Sequence, residues 1–459
     1  MVTRGGFSQV VGNAFAGMGF PAEDPSVYEF PIPMFAAGGD LTPLTENIDK
    51  IIAGLTTWKP KITTTGTFTP TPITVQGKDY QSALDNMNAL FLKNMWSDGL
   101  TLTPATVDRV SWILTGTDLA RNTVISPPGG VVPRGGIASV ESIAVALAMA
   151  GGRPEYLPLL IAIVQAITAP AFGLQALNST TCSVIPATIV NGPIAKQIRL
   201  GSGYGCLGPD PVHPAGVLIG RALRIIQQDL GGAVPGIGTM AIYGADRTSN
   251  MVFAEDEEGL PPDWNSLAVD RGFAKTDNVV TATPISSMVN IVGVGKADYD
   301  MTLMLIAKIM ASPNGNVIMA SDAVWKSPDH ATGIVYIPRG LAASIQSQKG
   351  YSKDAVKTFL WNNSKLPGSV ATAIGQAGTT PVGLSPAVGF AAGQDIPLGD
   401  NPKQIMVVVA GGDQSGHAYW SQVGHSSYTV TSQKIQLPAA WNTLLAQAVN
   451  DLGPLPATH

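Results

Sequence analysis

Four consecutive carboxylates, Glu255, Asp256, Glu257 and Glu258, end a stretch that opens at Thr180 and carries Cys182, a glycine-rich loop and His213. A glutamate crowded by other carboxylates keeps its proton to higher pH, so Glu255 or Glu257 can act as a general acid or base. Cys182 is a candidate nucleophile where a base or a helix N-terminus supplies its thiolate. His417 follows a glycine turn, and with Glu255 and His330 it would offer a divalent metal two imidazoles and a carboxylate. The plainer alternatives are an acidic loop facing solvent, histidines that order turns, and small buried cysteines. No His-x-x-x-His or Glu-x-x-His spacing places a metal on one helix face, and the residues specify no cofactor.

A binding surface for such chemistry is suggested just upstream. Gly201, Gly203, Gly205 and Gly208 leave backbone N–H groups bare enough to meet an anion or oxyanion. Asn191, Ser202, Gly203, Tyr204, Gly205, His213 and Arg221 are therefore the candidate substrate-binding residues. Gly203-x-Gly205-x-x-Gly208 matches a dinucleotide fingerprint, but Pro209, Pro211 and Pro214 separate it from the next helix, where the third glycine belongs. No Gly-x-Ser-x-Gly elbow is present, so a serine hydrolase lacks its clearest signature.

The elements that must hold these residues can be read from periodicity. Val184 to Val190 is β-branched and apolar and stops at the Asn191-Gly192-Pro193 turn, which predicts a buried strand. Ile219, Ala222, Leu223, Ile226 and Leu230 recur at helical spacing, and Gly231-Gly232 ends that helix. Ile405 to Ala410 is the strongest buried-strand signal, and it places Asp413, Ser415, His417 and His425 beyond its C-terminal end, where parallel α/β sheets bind ligands. Helices are predicted from Thr42 to Leu55, Tyr80 to Asp98, Ile137 to Ala150, Pro154 to Ile167, Tyr299 to Ala311, Ser352 to Trp361 and Ala439 to Asp451. Strands are predicted over Ser26 to Phe30, Val279 to Val294, Val317 to Met319 and Ile334 to Ile337, and Asn122 to Gly136 reads as a long lid or ligand loop. Gly368 to Gly399 reads as irregular, and no internal repeat is apparent.

The expected fold class is α/β: layered, mostly parallel sheets with flanking helices and long Gly/Pro-rich loops. Four segments are expected: a partial α/β unit at 1–58 completed by a partner, a linker and helical segment at 59–136, a glycine-loop α/β domain at 137–300, and a second α/β domain at 301–459. With 45% hydrophobic and only 13% charged residues in 459, the chain is globular and expected to hide surface in an oligomer. A net charge of −5 with scattered Lys and Arg argues against nucleic acid. Leu157 to Ala171, interrupted by Pro158, Gln165 and Pro170, is too short to span a membrane, and the first 20 residues lack a signal core. A cytoplasmic protein with two cysteines and no disulfide framework is the expectation.

In order along residues 140–425, the blocks MAGGRPEYLPLLIAIVQAI, TTCSVIPATIVNGPIA, GSGYGCLGP, IGRALRII, FAEDEEGLPPDW, SPDHA, YSKDAVKTFLW and VVVAGG resemble the large domain of bacterial UGSC-type (seleno)proteins. Residues 1–58 are similar to the end of the small domain that precedes it, but the Cys- or selenocysteine-Gly-Ser-Cys motif is absent. The family's Thr-Thr-His-Pro pattern reads Thr180-Thr181-Cys182-Ser183 here, so Cys182 departs from it. The resemblance implies that this chain is the larger subunit of a hetero-oligomer. It further implies a smaller protein subunit that carries a thiol or selenol, and redox or nucleophilic sulfur chemistry on a small molecule.

Overall fold

The computed structural model describes residues 2–17, 20–21, 27–35, 38–59, 61, 72–244, 249–293, 298–313, 315–316, 327, 329–373, 390–413, 416–424 and 429–455. The strand expected at Val317 to Met319, together with Ser415 and His425, lies outside them. Strands β1 (Val2–Arg4) and β2 (Tyr28–Phe30) pair in parallel as a separate two-stranded sheet. The main sheet contains β3 (Ile185–Asn191), β4 (Met251–Ala254), β5 (Val279–Val292), β6 (Gly333–Ile337), β7 (Ile405–Val409), β8 (His417–Val423) and β9 (Thr431–Lys434). Their order is β4-β3-β5-β8-β6-β7, with β9 paired to the first half of β5.

This sheet is mixed, which corrects the mostly parallel expectation. β3–β4 and β6–β7 are parallel, while β3–β5, β5–β8, β6–β8 and β5–β9 are antiparallel. Parallel neighbours need a crossover, usually a helix, between successive strands. β8 instead follows β7 with no helix among the described residues between them and lies antiparallel beside β6, and its half-polar HAYWSQV carries no long apolar run. The sheet also crosses residue 300, where a domain boundary was expected, because β5 pairs with β8.

The two sides of that boundary share a topology. In each, a parallel pair linked through helices is followed by a strand antiparallel to the first: β3, β4, β5 and then β6, β7, β8. Equivalent hydrogen bonds fasten the two parallel pairs, Glu255 N–H to Val190 C=O at 3.1 Å and Ala410 N–H to Ile337 C=O at 3.0 Å. The sheet curls about this pseudo-two-fold axis until its outer strands touch, the Asp256 N–H donating to Val409 C=O at 2.8 Å. Phe253 of β4 and Tyr336 of β6 meet inside the curl at 5.6 Å.

Alternation along β6 and β7 explains their unbroken apolar runs. Ile334, Tyr336, Met406 and Val408 join one core, and Val335, Ile337, Val407 and Val409 join the other. The first core takes the helices Val140–Met149, Leu157–Thr168 and Ala215–Asp229; the second takes Tyr299–Met310, Arg339–Lys349 and Lys353–Asn363. Ser352 caps its helix through the Ala355 N–H, as its position implies. The helix expected from Thr42 breaks at Asn47 into Thr42–Glu46 and Ile48–Thr56; Asp40, not Thr42, receives the first bonds. Residues 122–136 do not form a free lid, since the Arg134 and Gly136 N–H groups donate to Gly231 and Leu230 at the end of the helix Ala215–Asp229.

Candidate functional site

Each functional side chain is placed by a strand end. β3 ends at Asn191, β4 runs into Glu255 to Glu258, β6 delivers Arg339 after Pro338, and β7 breaks at Gly411-Gly412. The glycine loop then locks onto two of these ends. Ala254 N–H donates to Gly201 C=O and Gly411 N–H to Ser202 C=O, both at 2.9 Å, and the Tyr204 ring lies so close to Gly412 that a Cβ there would sit 2.9 Å from it.

Between them lies a cavity of about 910 Å³ lined by Gly192, Ser202 to Gly205, Asp210, His213, Glu255 to Glu258, Lys196, Arg199, Lys275, Arg339 and Leu455. Among the described residues, the amides of Ser202, Gly203, Tyr204 and Gly205 donate to no other group. Four neighbouring amides so arranged can stabilise an anion or an oxyanion.

The acidic run is not a uniform solvent-facing loop. The Glu255 carboxylate is fully buried; it accepts from Asn191 Nδ2 at 2.8 Å and Leu267 N–H at 2.6 Å and pairs with the buried Lys353 at 3.5 Å. Lys353 also pairs with Asp270 and donates to Asn265 C=O, so the buried charges are compensated. Glu257 is half-buried: one carboxylate oxygen accepts from Asn191 Nδ2 at 3.1 Å and the other from Gly192 N–H at 2.9 Å. The Asn191 carboxamide thus spans the fully buried glutamate and the half-buried one. Asp256 is held by Arg339 through two bonds of 2.6 Å, and Glu258 pairs at the surface with Lys196.

On the loop, His213 Nδ1 lies 2.5 Å from Asp210 Oδ2. Burial pushes the Asp210 carboxyl up, but hydrogen bonds from the His213 ring and the Val212 amide outweigh it and hold the group below its ordinary value. Cys206 belongs to the same loop. Burial, with the nearby Asp256 charge, pushes its thiol up to about 12, so it stays protonated at neutral pH.

Other expected members sit elsewhere. Cys182 is exposed ahead of β3, at the strand end opposite Asn191. His330 is buried ahead of β6, at the end opposite Arg339. His417 opens β8, exposed and 3.1 Å from Asn290 Oδ1, and does not line the cavity. Glu255, His330 and His417 therefore form no metal centre, and among the described residues no three His, Cys, Asp or Glu side chains are grouped to hold one. Arg221 is a clamp: its guanidinium grips Asp98 at 2.7 and 3.0 Å and donates to Leu100 and Thr101 carbonyls.

Arg339, Lys275, Arg199 and Asp210 line the cavity without having been singled out by the sequence. Only Arg339 had a usable signal, as the charged residue after a predicted strand end. No protein-family model matches the chain, and no curated protein or solved structure matches it.

Proposed function

We propose that this chain is the large, substrate-binding subunit of a heteromeric enzyme. The cavity takes a small anionic or carbonyl-containing molecule, and a smaller partner brings the thiol or selenol for redox or nucleophilic work. One observation carries this reading: Ser202 to Gly205, whose amides have no acceptor among the described residues, and Glu257 line the same cavity. The chain's own thiols favour an external one, since Cys206 is held protonated and Cys182 lies outside the cavity. Ile48, Ile52 and Leu55 form an apolar stripe on the N-terminal unit, exposed by 44, 50 and 81% respectively, which suits a partner surface. The likeness to UGSC-type proteins points the same way, and a reducing cytoplasmic setting belongs to the proposal because a free thiol persists there.

A second reading makes the chain a lyase or hydrolase in its own right. The position of Glu257 favours it: a partly exposed carboxylate, oriented by Asn191 and Gly192, is well placed to move a proton.

A search of the neighbouring reading frames for a short protein carrying Cys-Gly-Ser-Cys or its selenocysteine counterpart, followed by co-expression with it, separates the two. The first reading predicts a stable complex whose turnover falls when the partner's thiol is replaced, and falls about 10²-fold or more with Glu257→Gln. Glu257-dependent turnover by this chain alone supports the second. Full turnover with Glu257→Gln and His417→Ala contradicts a catalytic role for this chain.

A further inference from the structure

We infer that Arg339 anchors the substrate's anionic group, and that this group is a carboxylate or another oxyanion presenting two oxygens side by side. This rests on the cavity being the substrate site. Arg339 follows β6, its N–H donates to Gly412 C=O, and its side chain is 29% exposed where it lines the cavity. Asp256, only 3% exposed, takes Nε and Nη2 at 2.6 Å each. Asp256 is itself fixed by its N–H bond to Val409 and by the Gly259 amide.

A guanidinium has two edges that match a carboxylate. Asp256 occupies the side-on edge, which leaves Nη1 and the second Nη2 hydrogen as an end-on pair; Nη1 has no partner among the described residues. A clamped guanidinium loses little further entropy when a second anion docks, so the free edge is pre-organised for bidentate recognition.

The surrounding charge sets the substrate's size and sign. Arg339 is shared between Asp256 and the more exposed Asp413, whose Oδ1 lies 3.5 Å from Nε, so this part of the cavity is made receptive to negative charge by Lys275, without a partner among the described residues, and by the uncommitted amides of Ser202 to Gly205. Glu257 and Glu258 line the same space. A compound with one anionic head is therefore favoured over a polyphosphate, whose further charges would face those carboxylates.

Calorimetric titration of the full chain, with its partner if one co-purifies, tests this with pyruvate and acetate as carboxylates, acetamide as the neutral isostere and tripolyphosphate as the polyanion. The expected result is saturable binding of the two carboxylates and much weaker binding of the other two probes. Arg339→Lys, which keeps the charge and loses the fork, should weaken pyruvate binding tenfold or more. Asp256→Asn/Arg339→Gln, which leaves no buried charge unpaired, should do the same while melting as a single cooperative unit. Unchanged pyruvate affinity in both variants, equal binding of acetamide, or no saturable carboxylate binding overturns the assignment. If Glu257→Gln abolishes turnover while both Arg339 variants bind and turn over normally, the cavity stands and the anchor falls. If none of these changes has an effect, both fall.

Discussion

At the C-terminal end of the helix Ala215–Asp229, burial and the Asp98 charge push the Asp229 carboxyl up to about 7, against the pull of Arg224 and Arg134. A carboxyl raised above its unfolded value binds its proton more tightly when folded, so it stabilises the fold at low pH and that contribution is lost as pH rises from about 4 through 7. Replacing it by the neutral amide removes the dependence. Urea unfolding of Asp229→Asn should give a higher midpoint than the parent chain at pH 8, and the gap should narrow towards pH 5. An equal gap at both pH values contradicts the assignment. At the cavity, residue types were legible and their division of labour was not. Glu255 and Glu257 are two apart in sequence and both line the cavity, yet one carboxylate is fully buried against Lys353 and the other is half-buried. That difference comes from Lys353, which sits on a helix of the other half of the sheet and which no local pattern connects to Glu255. The clamp that Arg221 forms was not legible for the same reason, since its partner Asp98 is remote in sequence.

Among the elements, the helix Ala215–Asp229 shows how closely the site's supports are packed. A Cβ on Gly216 would come within 2.5 Å of Val252 C=O, and one on Gly220 within 2.1 Å of Asn250 C=O, so these two residues, one turn apart, seat the helix against β4 and its lead-in. In an exposed helix, Gly→Ala gains up to about 1 kcal/mol. Here it forces helix and strand apart, and Gly220→Ala should instead destabilise the chain by about 1–3 kcal/mol in urea unfolding. A stabilised variant would show that the helix is free to move off β4. β3, β7 and the capped helix at Ser352 were legible because an apolar run or a cap is a local signal. β8, β9 and the strand directions were not, because HAYWSQV and TSQK gain their order from β5 and β6 across the sheet. The helix Arg339–Lys349 was missed because its buried face is only Leu341, Ala342 and Ile345.

At the scale of the molecule, the pseudo-two-fold arrangement brings two dissimilar strand ends together. One half contributes the carboxylates after β4, and the other contributes Arg339 and the glycine break after β7; Asp256 is bonded to both Arg339 and Val409. Among the described residues, no helix is long and apolar enough to cross a membrane. If a smaller subunit binds, as proposed, the exposed stripe on the helix Ile48–Thr56 is its expected docking face. Ile52→Glu/Leu55→Glu should abolish co-purification of a smaller subunit with little change in melting temperature, because neither side chain is buried in this chain. Retained co-purification would place the partner elsewhere.

The most direct test of the cavity as the substrate site is to equilibrate the purified protein with a small-molecule extract, wash it, denature it and identify what it releases by mass spectrometry. Gly203→Leu, which covers the free amides, serves as the comparison. The native protein should release a small compound bearing a carboxylate or carbonyl in near-stoichiometric amount, and the variant should not. Release of the same compound in the same amount by both, or of none by the native protein, would contradict it.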